Sequence, residues 1–425
     1  MTTAGPLSSS ANKMDGRLRL LLVIIAFACL TPLTDALALP TRINSRRKKL
    51  ITFNGEVQQS KSPEELLSLS ARRKASPNDA VKLIARLSSL FPRNDASLST
   101  AIVADARLHR CLRAIDVSKL SPDELASLVH SSAMIRRPLR RSEVPQDELA
   151  AALNEAADGG MDPHAAAQAT WAWECLDTSA TPAPERLLRC AAPLPFRVHL
   201  AAVDPSLLSL DKLLAEALPR RETIQSGSAA PSRTAIVEKR GTAWQSAVGR
   251  PFVYSGKVMV PRVGDEERAG LSEGISKVRD ALAAEPIERS YDSVLLNYYE
   301  GGTSAMNFHS DPGQGPPPVG EDGSGGASAA AASGWGYSTC VVSSGATRLF
   351  TFRRIGNPNL RCTFALRTGD VVEMFGECQE MYQHAVKVEA SEEAAGPRVS
   401  LVFKRTLEAE REREARERPE HGRAW

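Results

Sequence analysis

Aromatic residues are scarce in this chain, at 5%, while hydrophobic residues at 42% and charged residues at 24% are ordinary for a globular protein. The composition is that of a folded protein with disordered stretches. Its seven cysteines are scattered, from Cys29 to Cys378, with no Cys-x-x-Cys pair, which excludes a disulfide framework and a zinc knuckle. A large charge of one sign is also missing. The formal net charge is +3 over 425 residues, so global charge does not argue for nucleic acid and any basic surface must be local.

A long apolar run is missing too. The run from Leu20 to Leu30 stops at Thr31-Pro32, short of the roughly 20 apolar residues that a spanning helix needs. Arg17 and Arg19 precede it and Ala36-Leu-Ala38 follows, the layout of a signal peptide over residues 1–38 with an Ala-x-Ala cleavage site. Residues 39–60 read as a transit-like segment, with five positive charges between Leu39 and Lys49 and no acid before Glu56. A signal peptide followed by such a segment resembles the two-part presequence of algae with secondary plastids. This implies a plastid location, with secretion and the mitochondrion as the alternatives, and no stable membrane association of the mature protein.

What is present divides into two textures. From 61 to 205 the pattern is helical. Ser62, Ser76, Ser121 and Asp162 each stand before a proline, which predicts an N-cap followed by proline at the first helical position. Leu125, Leu128 and Val129, and likewise Ala165, Ala169, Ala172 and Trp173, have the three- and four-residue spacing of one buried helical face. The last three starts recur about every forty residues, in the period range of helical-hairpin arrays. The segment from Asp162 to Leu176 is similar to the helix of octotricopeptide-type repeats, which occur in organellar RNA-binding proteins; a helical domain that only packs or recruits a partner fits equally well. Trp171 and Trp173 read as core residues.

From about Leu207 the chain changes to short β-branched and aromatic segments broken by Gly, Pro and Ser. Strands are expected at 234–238, 252–260, 293–299, 339–342, 348–353, 362–366, 370–374, 384–388 and 398–404, with one helix over 265–285. The fold class is therefore α+β, an all-α repeat-like region followed by a β-sandwich or jelly roll over 207–407. Residues 312–334 form a low-complexity insertion and 408–425 a charged tail.

Chemistry concentrates at His309-Ser-Asp311. In extended backbone, residues i and i+2 point the same way, so His309 and Asp311 converge while Ser310 turns outward. Three groups that hold Fe(II) on one face leave the other open for a cosubstrate and O2. A third ligand has to come from a distant strand. The region from Leu207 holds two other histidines, and His421 lies in the tail, which leaves His384 as the candidate.

The surrounding blocks are Leu295-Leu-Asn-Tyr-Tyr-Glu-Gly-Gly302, Met306-Asn-Phe-His-Ser-Asp311, Ser344-Gly-Ala-Thr-Arg-Leu-Phe350, Gly369-Asp-Val-Val-Glu-Met-Phe-Gly376, Tyr382-Gln-His384 and Pro397-Arg-Val-Ser-Leu-Val-Phe403. Their order and spacing resemble the AlkB-type Fe(II)/2-oxoglutarate dioxygenases over about 207–407, including Tyr254-Ser-Gly256 near the start. The resemblance implies a double-stranded β-helix and Fe(II), 2-oxoglutarate and O2 as cofactor and cosubstrates. His309, Asp311 and His384 would be the catalytic metal ligands. Arg398 would pair with the distal carboxylate of 2-oxoglutarate, with Asn297 and Tyr299 hydrogen-bonding the same cosubstrate. The family's second arginine falls on Lys404 and its asparagine on Ser400; lysine holds a carboxylate as a point charge, without the bidentate fork. Pro312-Gly-Gln-Gly315 stands where repair members of the family usually carry acids.

The resemblance implies a monomer that oxidatively demethylates N-alkylated bases in DNA or RNA, on a single-stranded or flipped-out base. The stretch Arg136–Arg141 and Arg348, Arg353 and Arg354 are offered as backbone contacts. The competing readings are an oxygenase acting on a protein or small molecule, and an RNA-binding scaffold with a degenerate oxygenase domain.

Overall fold

The computed structural model describes residues 53–72, 76–113, 115, 119–136, 146–176, 183–226, 234–254, 257–284, 286–287, 289–311 and 334–407. The leader 1–38, the basic run ending at Lys49, Arg137 to Arg141, Ser255-Gly256, residues 312–333 and the tail from 408 lie outside them. Among the described residues no helix is long and apolar enough to cross a membrane.

The chain divides into two compact units, one of Met1–Phe91, Ser97–Met161 and Ala172–Arg186, the other of Pro92–Ala96, Asp162–Trp171 and Leu187–Trp425. Helices of the first include α1 (Phe53–Gln59), α2 (Pro63–Arg72), α3 (Pro77–Leu90), α4 (Ala96–Val103), α5 (Ala106–Arg113), α6 (Pro122–Arg136) and α7 (Gln146–Asp158). The serine-proline starts act as read. Ser76 and Asp79 form a reciprocal capping box, and Ser121 and Glu124 exchange the same pair of bonds. The core gathers Leu66, Leu83, Ile84, Leu87, Leu112, Leu128 and Ile135, with α3 packed on α6. Among the described residues three α-helices lie between Ser76 and Ser121 but two between Ser121 and Asp162, so these do not repeat as one uniform hairpin. Val57 of α1 is fully buried in this core, so Phe53–Gln59, part of the 39–60 stretch read as transit-like, packs as a helix of this unit.

In the second unit, α8 (Pro163–Cys175), whose first nine residues belong here, and α9 (Glu185–Ala191) precede β1 (Phe196–His199). Then come α10 (Leu210–Ala217), β2 (Arg220–Ser226), β3 (Thr234–Ser246), the hairpin β4 (Phe252–Tyr254) and β5 (Lys257–Met259), and the short pair β6 (Arg262–Val263) and β7 (Glu266–Glu267). The chain continues through α11 (Glu273–Leu282), β8 (Ser293–Tyr299), β9 (Met306–His309), β10 (Trp335–Gly345), β11 (Arg348–Arg354), β12 (Asn357–Leu366), β13 (Val371–Met374), α12 (Cys378–Met381), β14 (Tyr382–Val386) and β15 (Arg398–Thr406). A seven-stranded antiparallel sheet in the order β1-β13-β10-β15-β8-β3-β2 accompanies a four-stranded sheet β12-β11-β14-β9, the two faces of a jelly roll.

Three expectations need correction. The helix read over 265–285 starts only at Glu273, because Gly264 takes a positive φ of 62° and turns β6 into β7. The sandwich does not start at Leu207: β1 pairs with β13 in register from Phe196↔Met374 to His199↔Val371. Arg348 is not a surface contact. It is 0% exposed and donates to the carbonyls of Gly301, Gly302, Ser304 and Lys387.

Candidate metal centre and its pocket

His309 and Asp311 come from the end of β9 and the residue pair after it, and His384 from the middle of β14. The two strands pair antiparallel with His384 directly opposite His309. Ser310, turned the other way, donates from Oγ to the Tyr382 carbonyl at 3.0 Å and ties the strands together. One ligand atom from each of His309, Asp311 and His384 lies within 4.8 Å of the others.

The carboxylate is used asymmetrically. Asp311 Oδ1 is 3.5 Å from His309 Nε2 and 3.6 Å from His384 Nε2, while Oδ2 accepts from Lys404 Nζ at 2.7 Å. One oxygen therefore faces the two imidazoles and the other is occupied. His309 donates from Nδ1 to the Asn307 carbonyl at 2.9 Å, which orients the ring with Nε2 toward Asp311. Burial, with His309 second, pushes the His384 pKa down to about 3, leaving a neutral imidazole able to give its lone pair. Burial alone would raise the Asp311 carboxyl; the Lys404 ammonium and the imidazoles outweigh it and hold it well below the usual carboxylate range. Two imidazoles and one carboxylate, with no fourth ligand in the cluster among the described residues, form the donor set of a non-haem Fe(II) facial site.

Phe350 stacks on the His384 ring at 5.5 Å between centroids, 11° from parallel. Behind β14, Tyr382 Oη and His164 Nε2 are 2.8 Å apart, and His164 Nδ1 lies 2.8 Å from Asp162 Oδ1, which braces the strand that carries His384.

The triad opens onto a concavity whose lining includes Arg240, Asn297, Tyr299, Met306, Phe350 and Ser400. Asn297, Tyr299 and Ser400 are thus brought to the metal ligands; Asn297 and Ser400 are direct partners between β8 and β15. Arg398 sits behind this lining, 1% exposed, with Nη2 donating to Ser343 Oγ at 2.9 Å. Its Nη1 is buried and has no hydrogen-bond partner among the described residues. Burial lowers its pKa to about 10, and a buried guanidinium without an opposing carboxylate is costly unless an anion joins it. That orphaned donor fits a carboxylate ligand. Gly345, opposite Arg398, has a positive φ of 92°, and a Cβ there would run into the Pro397 carbonyl, so the close pairing of β10 with β15 needs glycine.

Lys404 shares the Arg398 face, as the period of two requires, while Arg405 turns away to the Ser290 carbonyl at 2.6 Å. The Lys404 ammonium is bound to Asp311 and is not part of the pocket lining. Sequence reasoning missed Glu238 and Arg240, because the expected strand ended at 238 while β3 runs on to Ser246 with its polar residues facing inward.

Residues 206–404 match the family model of the 2OG-Fe(II) oxygenase superfamily. An uncharacterized protein of Acanthamoeba polyphaga mimivirus is 29% identical over 210 residues, which cover 49% of this chain and 93% of that protein. Among solved structures, one titled "The structure of OsALKBH1" is similar at a TM-score of 0.31 and 13% identity, over 50% of this chain and 97% of the other.

Proposed function

We propose, from the premise that residues 206–404 belong to the 2OG-Fe(II) oxygenase superfamily and make this protein an Fe(II)- and 2-oxoglutarate-dependent dioxygenase, that it works as an AlkB-type demethylase of N-alkylated bases in nucleic acid. The observation that carries the reading is the triad of His309, Asp311 and His384 opening onto a pocket with an unpartnered buried guanidinium nitrogen behind it. The ordered AlkB-type blocks around the triad support the choice of substrate.

His309, Asp311 and His384 would hold the metal, with Asp311 binding through Oδ1 because Lys404 occupies Oδ2. Arg398 would take one carboxylate of 2-oxoglutarate, and Asn297, Tyr299 and Ser400 would line its flank. A metal bound there would supply O2 activation, with one oxygen atom passing to 2-oxoglutarate, released as succinate and CO2, and the other to the N-methyl C–H bond. The resulting N-hydroxymethyl group collapses to the free base and formaldehyde. Phe350 and Val386 from the four-stranded sheet and Leu295 from the seven-stranded sheet line the pocket and would keep water from the reacting carbon. The presequence reading adds a plastid location, testable by where a fluorescent fusion of residues 1–60 accumulates.

The test uses the whole chain with Fe(II), 2-oxoglutarate, O2 and single-stranded DNA or RNA carrying N-methylated bases. Formaldehyde and succinate are expected in equal amounts, with neither above background for His309→Ala. Turnover on a methylated peptide and on no oligonucleotide would sink the nucleic-acid reading.

A further inference from the structure

The inward face of a sheet strand should be apolar, yet β3 turns Glu238, Arg240 and Thr242 inward, with the two charged side chains each 5% exposed. Buried charge survives only when it is paired and hydrogen-bonded. Arg240 Nη2 lies 2.9 Å from Glu238 Oε1, and both side chains are on one face because they are two residues apart. The third member is Asn297. It stands directly opposite Thr242 across β3 and β8, hence diagonal to Arg240, and Arg240 Nε donates to its Oδ1 at 2.8 Å. Nη1 rests against the Met306 sulfur. The guanidinium is therefore engaged on all three nitrogens.

We infer that the buried Glu238–Arg240 pair is a positioning device that fixes the Asn297 amide with its NH2 group toward the pocket, so that this wall offers donors to the acceptor oxygens of 2-oxoglutarate. A guanidinium has only donors, so the Asn297 atom that meets Arg240 must be the carbonyl oxygen. Without that partner the amide could turn its oxygen inward and confront an anion with an acceptor. Arg240 touches neither ligand atoms nor cosubstrate in this scheme; it acts through Asn297. Glu238 holds the orientation of the fork through Nη2, and Lys257, whose field reaches Glu238, pairs with Glu222 at 3.3 Å.

The inference rests on the pocket being the 2-oxoglutarate site. Its test is calorimetric titration of 2-oxoglutarate into the Mn(II)-loaded whole chain without turnover. Arg240→Met alone would strand the Glu238 carboxylate, so the variant is the neutral pair Glu238→Gln/Arg240→Met, with Mn(II) affinity and melting temperature as checks on the fold. A weakening of about tenfold in the 2-oxoglutarate Kd is expected, the scale of one hydrogen bond to a charged acceptor, with Mn(II) affinity unchanged. In an Asn297→Ala background the same pair of substitutions should cost nothing further, because the two sites act as one. An unchanged 2-oxoglutarate Kd, or an equal loss of affinity in both backgrounds, overturns the positioning role. A wild-type chain that binds Mn(II) but no 2-oxoglutarate overturns the reading of the pocket itself.

Discussion

Arg348 and Arg398 show how little a side chain's type says about its task. Both are arginines on strands, both are at most 1% exposed, and burial lowers the pKa of each. Arg348 spends both Nη groups on four backbone carbonyls around the Gly301-Gly302 turn and sets Nε 3.5 Å from Glu389 Oε1, whereas Arg398 has an Nη1 without a partner among the described residues beside the pocket. Arg348→Met should therefore cost about 3–5 kcal/mol of stability in urea unfolding, as removal of a buried hydrogen-bonded charge does. Arg398→Met should cost clearly less, since its closest protein bond is the one from Nη2 to Ser343 Oγ and its Nη1 has no partner among the described residues. A reversed order of the two costs would refute these assignments. In the sequence the two residues differ only by their blocks: the resemblance assigned Arg398 to the cosubstrate, while Arg348 was offered to nucleic acid. The metal ligands were legible because i and i+2 must share a face and one histidine remained; Arg240 was not, because nothing in a polar stretch says which face will be buried.

At the scale of elements, β8 was read with its exact limits because Val294-Leu-Leu296 and Tyr298-Tyr299 make an apolar and aromatic run broken only by Asn297, and the residues of the strand are almost all buried. β1 was missed. It is four residues long, follows Pro195, and has its stability supplied from β13, 175 or so residues away, which no local pattern announces. Phe196 stacks on Phe352 at 3.9 Å, and His199 Nε2 meets Glu373 Oε2 at 3.1 Å. A fragment starting at residue 207 loses both and leaves the β13 edge bare, so it should melt well below one starting at residue 162 or aggregate on expression. Equal melting temperatures would show that β1 is dispensable. Glu373 also gives a pH dependence. Burial would raise its carboxyl, but His199 and then Arg289 outweigh that and lower it. A depressed folded-state pKa stabilises above the unfolded value of about 4.3 and is lost as pH falls through the folded value. Acid unfolding below about pH 4 should be less steep in Glu373→Gln than in wild type; identical slopes would contradict it.

For the whole molecule, the change of texture near Leu207 announced two kinds of structure, and the structure does divide into two units. The chain is shared between them differently, with Asp162–Trp171 counted in the second unit because Gln168 accepts from the Thr363 amide at 2.9 Å and Trp171 meets Phe364 edge-on at 5.9 Å. Such cross-chain contacts carry no signal in a local helical pattern. If the units unfold separately, Mn(II) with 2-oxoglutarate at one hundred times its Kd should raise only the transition of the second unit, by about 2.7 kcal/mol of added stability, and chelation should reverse it. A shift of the other transition alone would place the ligand site outside the oxygenase unit.

The most direct measurement is succinate release from 2-oxoglutarate by the whole chain with Fe(II) and O2, compared among wild type, Asp311→Ala and Arg398→Met. The account predicts no succinate above background for Asp311→Ala, and for Arg398→Met a KM for 2-oxoglutarate raised by about tenfold or more, as expected when a charge-assisted carboxylate contact is lost. Succinate release by Asp311→Ala at the wild-type rate would contradict it.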